Sequence, residues 1–253
     1  MSEAPWIRQL AGEVRIHDSL TELAGEAAAW IVSTANAATR QHGTFSIALS
    51  GGHTPSPVLE KVAAEPLRSS LGWPSWRVYF ADERAVRPDD PESNYSLVRQ
   101  TLLDRVPIPE NAIHRMEGER PDLDAAAAEY SALLAATLPL LNGGAPRLDC
   151  ILLGLGENGH TASLFPGTEA LDVADSWATR GRADYAPYDR ITLTFPAINA
   201  AASVAFLVAG ASKRAALRGV VDGTVPAARV RPSDAALIWF LDRDAASEEP
   251  AAG

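Results

Sequence analysis

The sequence predicts a three-layer α/β fold, in which a mostly parallel β-sheet carries helices on both faces. Apolar runs of strand length alternate with helical stretches from one end of the chain to the other, a pattern typical of parallel sheets. Hydrophobic residues make up 47% of the 253 residues and charged residues 21%, which is ordinary for a globular protein with a substantial core. Ligands of such folds bind beyond the carboxyl ends of the strands, so we expect each functional group directly after a strand.

The elements follow one another in a regular order. We expect strands at residues 14–16, 45–49, 77–80, 150–153, 191–195, 204–208 and 237–241. An alanine-rich helix should begin after Asp18 or Ser19, which are both suitable N-caps, and reach about Gln41. Ser93 is well placed to cap another helix. The further helices are expected at residues 58–64, 94–103 and 121–141 and from near Ser212.

The length suits a single domain over residues 1–253, with an ordered core at about residues 7–243. Residues 1–6 and 245–253 resemble frayed termini. The one cysteine, Cys150, lies in an expected strand and excludes a disulfide within the chain. No apolar stretch reaches membrane-spanning length, and the N-terminus lacks a basic region followed by an apolar run. We therefore expect a reduced, cytoplasmic protein.

The net charge limits the classes of molecule that the protein is expected to bind. A formal net charge of −10 argues against nucleic acid and against an anionic membrane surface. A small anionic substrate would therefore need a local cluster of basic groups. No pair of His, Cys or acidic residues shows metal-ligand spacing, and no Gly-x-Ser-x-Gly motif supports a serine nucleophile, so we expect no metal.

A glycine-rich loop after strand 150–153 is the most informative segment: Gly154-Leu155-Gly156-Glu157-Asn158-Gly159-His160. Its glycine spacing matches the dinucleotide-binding fingerprint, which requires a long helix after the last glycine. The turn signal Pro166-Gly167 follows His160 too closely for such a helix, and the loop lies in the middle of the chain. We therefore favour a loop that presents His160, since an ordinary histidine pKa of about 6.5 suits general-base catalysis.

The segment after strand 45–49 is a candidate anion site, Ser50-Gly51-Gly52-His53-Thr54-Pro55. Its glycines let the backbone approach a ligand closely. Thr54 can cap a helix whose first position is Pro55, so that backbone N–H groups and the positive end of the helix dipole face the loop. An ordinary tight turn is an equally good interpretation. His17, His42 and His114 fall at element boundaries and are expected at the surface.

Charged and polar groups cluster near other strand ends. Asp82-Glu83-Arg84 directly follows strand 77–80, and Asn94 could turn its amide into the same cleft; a solvated loop with internal ion pairs is the alternative. Lys213 lies at a helix start, where a cation is unfavourable unless an anion binds nearby, so we interpret it as a phosphate ligand. Arg190 is a candidate substrate ligand, although an exposed structural arginine is the simpler interpretation.

Taken together, these segments resemble the 6-phosphogluconolactonases over nearly the whole chain. The resemblance depends on five blocks: Ser50 to Pro55, Asp82-Glu83-Arg84 with Ser93-Asn94, Gly154 to Pro166, Arg190 to Pro196, and Gly210 to Lys213. It implies a Rossmann-like sheet of the deaminase and ribose-5-phosphate isomerase type, no cofactor, and a monomer or weak dimer. It also implies hydrolysis of 6-phospho-D-glucono-1,5-lactone to 6-phospho-D-gluconate, in the oxidative pentose phosphate pathway.

The resemblance also implies roles for the site residues. His160 would activate water, and Asp82 would orient His160 or bind a sugar hydroxyl. The oxyanion donors are not identified. The phosphate and the rest of the substrate would be bound by Ser50, Gly51, Gly52, His53, Thr54, Arg84, Asn94, Asn158, Arg190 and Lys213.

The chain departs from the family in one loop. The family commonly has Asp-Gly-His where this chain has Asn158-Gly159-His160, and in the related glucosamine-6-phosphate deaminases that aspartate is a proton-transfer base. The deaminase loop continues into Asn-Glu-Pro, whereas this chain has Leu164-Phe165-Pro166. Both differences disfavour the second hypothesis, a sugar-phosphate isomerase or deaminase. A third hypothesis, a non-catalytic sugar-phosphate sensor, is disfavoured by the intact His160 and by the lack of a DNA-binding segment.

Overall fold

The computed structural model describes residues 3–232 and 235–248, and these residues form two β-sheets with helices packed around them. The strands are β1 (Glu13–His17), β2 (Phe45–Leu49), β3 (Trp76–Phe80), β4 (Asp82–Arg84), β5 (Cys150–Leu153), β6 (Ala178–Arg182), β7 (Asp189–Leu193), β8 (Ser203–Val208) and β9 (Ala236–Asp242). The helices are α1 (Leu20–His42), α2 (Pro55–Val62), α3 (Asn94–Thr101), α4 (Leu123–Thr137), α5 (Phe195–Asn199), α6 (Arg214–Asp222) and α7 (Arg243–Ala246).

The main sheet is parallel throughout, with the strand order β1-β9-β8-β5-β2-β3. Every residue of β2, β5 and β8 is buried, as expected for central strands that are covered on both faces. The predicted three-layer α/β fold is confirmed. The carboxyl ends of β2, β5 and β8 meet at one edge of this sheet, where the loops that follow them lie together.

A second, three-stranded antiparallel sheet, in the order β4-β7-β6, was not predicted from the sequence, although the strand expected at residues 191–195 corresponds to β7. Asp82 and Arg84 were expected in a loop after a strand, but they lie on β4, and Arg190 lies opposite Arg84 on β7. Asp82 and Arg84 do follow β3 closely, so only the expected loop conformation is wrong for them. The expectation that every functional group directly follows a strand is wrong for Arg190, which lies within β7. A three-residue strand has too little alternation to recognise, and its partner is more than a hundred residues away in sequence, so tertiary pairing decides its conformation.

Local capping explains several helix boundaries. Ser19 Oγ accepts the Glu22 N–H at 3.3 Å, and Ser93 Oγ accepts the Ser96 N–H at 3.1 Å, as the sequence predicts. Helix α2 begins at Pro55 as expected, but the Thr54 side chain makes no capping hydrogen bond. The predicted helix at 121–141 is shorter, and no helix among the described residues is long and apolar enough to cross a membrane.

The two ends of the described chain pack together, which contradicts the expectation of frayed termini for residues 3–6 and 245–248. The Ala4 N–H donates to the Ala246 carbonyl at 2.9 Å, Glu3 pairs with Ser247, and Ala4 is fully buried. Contacts between residues so distant in sequence leave no local signal. Residues 1–2 and 249–253, which were also expected to be frayed, lie outside the described residues.

Candidate active site

A cleft of about 470 Å³ lies at the carboxyl edge of the main sheet, between the loops that follow β2, β5 and β8 and the second sheet. The structure brings almost all of the predicted site residues into it. They are Ser50, Gly51, Gly52, His53, Thr54, Asp82, Arg84, Asn94, His160, Arg190 and Lys213. Asn158 is the exception, because it lies next to His160 without lining the cleft.

The loop that carries His160 is held by its own hydrogen bonds. The Gly156 N–H donates to the His160 carbonyl at 2.9 Å, and Thr161 Oγ1 donates to the Gly154 carbonyl at 2.9 Å. A Cβ atom at Gly156 would lie 2.0 Å from His160 Nδ1, so the imidazole packs where only glycine leaves room. Residues 160–168 form turns and bridges instead of a helix, which excludes the dinucleotide-binding interpretation of this loop.

Asn158 determines the tautomer of His160. Its Oδ1 atom accepts the His160 backbone N–H at 3.1 Å and lies 2.6 Å from His160 Nδ1. A backbone N–H can only donate, so the amide atom facing His160 is the oxygen, and Nδ1 of the neutral ring must carry the proton. Nε2 then holds the lone pair of a base. No group of residues 3–232 or 235–248 forms a hydrogen bond with Nε2.

Burial keeps the His160 ring neutral. It lowers the pKa of His160 from 6.5 to about 4; Asp82 and Asp184 raise the pKa again, whereas Lys213 and Arg190 lower it further. The ring of Phe165 stacks on the imidazole with 3.9 Å between ring centroids. At neutral pH His160 is therefore an unprotonated base. Since its pKa lies well below 7, it is a weaker base than an unperturbed histidine.

Asp82 does not orient His160, which was one of its two predicted roles. Its buried carboxylate instead accepts the Ser163 Oγ–H at 2.7 Å and the Asn94 Nδ2–H at 3.2 Å. The same Nδ2 donates to the Asp82 carbonyl at 2.8 Å. Asn94 Oδ1 is buried without a hydrogen-bond partner among the described residues, beside Gly51.

Glu83 joins β4 to the start of α3 and was not predicted as a site residue. Its buried carboxylate accepts the backbone N–H groups of Arg84 and Asn94 at 2.7 Å each and that of Tyr95 at 2.8 Å, together with the Ser93 hydroxyl at 3.0 Å. Burial raises the pKa of Glu83, and these four hydrogen bonds oppose the increase. Glu83 thereby positions Arg84 and Asn94 at the cleft.

Three basic side chains line the cleft, although the chain as a whole is acidic: Arg84, Arg190 and Lys213. Arg190 is only 1% exposed, so the simpler interpretation of an exposed structural arginine is wrong. Burial, and then the charge of Arg84, lower the pKa of Arg190. Its Nη1 atom is buried without a hydrogen-bond partner among the described residues, and the guanidinium lies 5.5 Å from the ring centroid of Tyr185.

The segment between β6 and β7 supplies residues that the sequence analysis missed. Asp184 accepts the Asn158 Nδ2–H at 2.9 Å, and Tyr185, 47% exposed, lines the cleft near His160. This segment has no glycine-rich motif and no periodic pattern, so only the folded chain reveals its position.

Two of the other histidines differ from expectation. His42 is exposed as expected and lies 3.0 Å from Asp149. His17 and His114 are partly buried, because their rings stack on Phe240 and Tyr79. Within residues 3–232 and 235–248, no group of three or more His, Cys, Asp or Glu side chains could hold a metal ion.

Known proteins are similar to this chain in both sequence and fold. The family described as glucosamine-6-phosphate isomerases/6-phosphogluconolactonase matches residues 18–239. A 6-phosphogluconolactonase of Nostoc sp. is 44% identical over 227 residues, covering 86% of this chain and 90% of the relative. A probable 6-phosphogluconolactonase of Arabidopsis thaliana is 36% identical, and 96% of each chain is covered.

A solved 6-phosphogluconolactonase from Trypanosoma brucei has the same fold. It superposes with a TM-score of 0.82 at 30% identity, covering 94% of this chain and 98% of the other. The matched family region, residues 18–239, contains every residue of the cleft described above. The chain therefore belongs to the glucosamine-6-phosphate isomerase/6-phosphogluconolactonase family.

Proposed function

We propose that this protein is a 6-phosphogluconolactonase that hydrolyses 6-phospho-D-glucono-1,5-lactone to 6-phospho-D-gluconate. The observation that carries the proposal is the geometry of His160 in a cleft that contains three basic groups: the neutral imidazole has its Nδ1–H bonded to Asn158, and its Nε2 forms no hydrogen bond with the residues that the structure describes. The relatives that bear this name cover most of the chain, which supports the same activity.

The substrate phosphate would lie on the Ser50–Thr54 loop, between Arg84 and Lys213. Backbone N–H groups at the start of α2 and two cations suit a phosphate dianion. Because the protein carries a net charge of −10, this local cluster supplies the attraction that the overall charge opposes. Asn94 Oδ1, which is buried and accepts no hydrogen bond from residues 3–232 or 235–248, can accept one from a sugar hydroxyl.

His160 Nε2 would take a proton from water while the water oxygen attacks the C1 carbonyl of the lactone. Arg190 is suited to stabilise the resulting oxyanion, because its charge acts on His160 and its Nη1 has no hydrogen-bond partner in the part of the chain that the structure describes. The bond between C1 and the ring oxygen then breaks, and the proton on Nε2 passes to that oxygen. The products are the carboxylic acid and the C5 hydroxyl of 6-phosphogluconate.

The direct test generates the lactone in situ and compares its loss with the spontaneous rate. We expect acceleration by the wild-type protein. Conversion of glucosamine 6-phosphate to fructose 6-phosphate, without acceleration of lactone loss, would support the deaminase hypothesis instead. Binding of the sugar phosphate without turnover of either substrate would support a sensor.

His160→Ala tests the mechanism. We expect kcat to fall by roughly 10²–10⁴-fold while KM changes little, because the variant loses the base but keeps the phosphate ligands. Thermal unfolding of the variant checks that the fold is retained. Near-normal kcat in a folded variant would remove His160 from the role of base.

The substrate would be a small phosphorylated sugar lactone, without a cofactor, nucleic acid or membrane as partner. The protein would act in the cytoplasm as a monomer or weak dimer, which sedimentation of the purified chain can test.

A further inference from the structure

Behind His160, away from the cleft, Asn158 contacts a carboxylate with no role in the mechanism above. The Asn158 amide is engaged at both ends: Oδ1 lies 2.6 Å from His160 Nδ1, and Nδ2 donates to Asp184 Oδ2 at 2.9 Å. Imidazole, amide and carboxylate thus form a continuous chain of hydrogen bonds. Asp184 is exposed and does not line the cleft, so it cannot act by contact with a substrate bound there.

We propose that Asp184 is a positioning residue of the lactonase, which acts on His160 through the side-chain amide of Asn158. This inference rests on the proposed function. Asp184 holds the amide with its oxygen towards the imidazole and polarises it, so that the oxygen accepts the Nδ1–H bond more strongly. The amide transmits the effect because it is a donor at one end and an acceptor at the other.

The arrangement matters most in the transition state. When Nε2 takes the proton from water, the imidazole becomes a cation, and the nearest polar groups must stabilise that charge. The polarised amide does so through Nδ1–H, and the Asp184 carboxylate does so through space, since its charge raises the pKa of His160. The other charged groups that act on His160 are Asp82, which has the same effect, and Lys213 and Arg190, which have the opposite effect.

The identity of residue 158 must match that of residue 184. An amide at 158 can bridge an imidazole N–H and a carboxylate, but a carboxylate at 158 would face the Asp184 carboxylate at hydrogen-bond distance, and two like charges there repel. An amide at 184 would restore a complementary pair. The sign of the effect of Asp184→Asn should therefore depend on residue 158.

A double-mutant cycle measures this dependence. In the wild-type background we expect Asp184→Asn to lower kcat several-fold, up to roughly tenfold, with little change in KM, as for the loss of one charge-assisted hydrogen bond. In the Asn158→Asp background the same substitution should raise kcat. An equal effect in both backgrounds would overturn the proposal. Asp172→Asn, which removes an exposed carboxylate 3.6 Å from Arg229, is the control and should leave kcat unchanged.

A second readout does not depend on lactonase activity. The pKa of His160, measured by NMR on the free protein, should fall below the wild-type value in Asp184→Asn and stay constant in Asp172→Asn. If the wild-type protein fails to hydrolyse the lactone but the His160 pKa still responds, the proposed function is wrong while the contact is real. If activity is normal and neither kcat nor the pKa responds to Asp184→Asn, the positioning role is wrong.

Discussion

The residues around the His160 ring determine its tautomer, its protonation state and its strength as a base. Phe165 and the surrounding protein bury part of the imidazole, and Asn158 fixes the proton on Nδ1. A base whose pKa is lowered to about 4 stays unprotonated throughout the neutral range. The lowered pKa makes His160 a weaker base. A weaker base is sufficient here, because a lactone is an activated ester and needs no strong nucleophile.

The ionisation of His160 can be measured directly. We expect a 15N NMR titration of the free protein to show a pKa of about 4 and the Nδ1–H tautomer above it, with His160→Gln used to assign the signal. An imidazole that titrates near its ordinary value of 6.5 would contradict the burial argument.

Because the pKa of His160 is lower in the folded protein than in the unfolded chain, the unfolded chain binds this proton more tightly. The contribution of His160 to stability is therefore complete above about pH 6.5 and is lost as the pH falls from about 6.5 to about 4.

Lys213 is a second single residue whose role can be separated from that of the base. We expect Lys213→Ala to raise KM by roughly 10–10²-fold, the effect of one charge-assisted contact to phosphate, with a smaller change in kcat. Lys61→Ala is the control, since Lys61 is exposed on α2 and does not line the cleft. Equal KM values for the two variants would rule out Lys213 as a phosphate ligand.

At the level of elements, the loop from Gly154 to His160 is a turn held by its own hydrogen bonds. Two of its glycines are needed for different structural reasons. Gly159 adopts a positive φ of 77°, whereas Gly156 leaves space for the imidazole because it has no Cβ atom. The loop also returns to its own start through the hydrogen bond from Gly156 N–H to the His160 carbonyl. The position of the base is thus set by backbone packing.

Two glycine substitutions in this loop test that conclusion. An added methyl group at Gly156 would collide with the His160 ring, so Gly156→Ala should displace the base and lower kcat by about 10²-fold. Gly154→Ala is the matched control, because its methyl group would meet no atom within 4 Å, and most of the activity should remain. Similar kcat values for the two variants would show that the imidazole can shift without cost.

At the scale of the whole molecule, the two ends of the described chain pack against each other. Residues 3–10 lie against α6 and α7, and Ile7 and Leu10 belong to the same hydrophobic core as the central strands. These contacts join residues that are more than 200 positions apart, so their contribution appears only in the complete fold.

A buried charge at Ala4 measures that contribution. Ala4 is fully buried, and Ala4→Asp should lower the free energy of unfolding by about 3 kcal/mol or more, because the substitution moves a charged carboxylate from water into the protein interior. Ala11→Asp, at an exposed position of the same segment, should change it by less than about 0.5 kcal/mol. Urea unfolding of both variants gives the comparison, and equal stabilities would mean that the N-terminal segment does not pack as described.

The sequence by itself determined the strands of the main sheet and many of the residues of the cleft. Both are local: an apolar run such as residues 204–208 predicts a buried strand, and glycines placed after a strand, as at Gly51 and Gly156, predict a sharp turn at the sheet edge. Parallel strands then bring their carboxyl ends together, so the meeting of Thr54, His160 and Lys213 follows from the fold class.

Only the tertiary structure decided which side chains of the site contact each other. The antiparallel pairing that places Arg190 opposite Arg84 and the hydrogen bond that Asn158 donates to Asp184 both join residues of different segments of the chain. Distances between side chains depend on how the elements pack, and no local pattern encodes them. For the same reason the pKa of His160 could not be anticipated, because burial and charges distant in sequence set it.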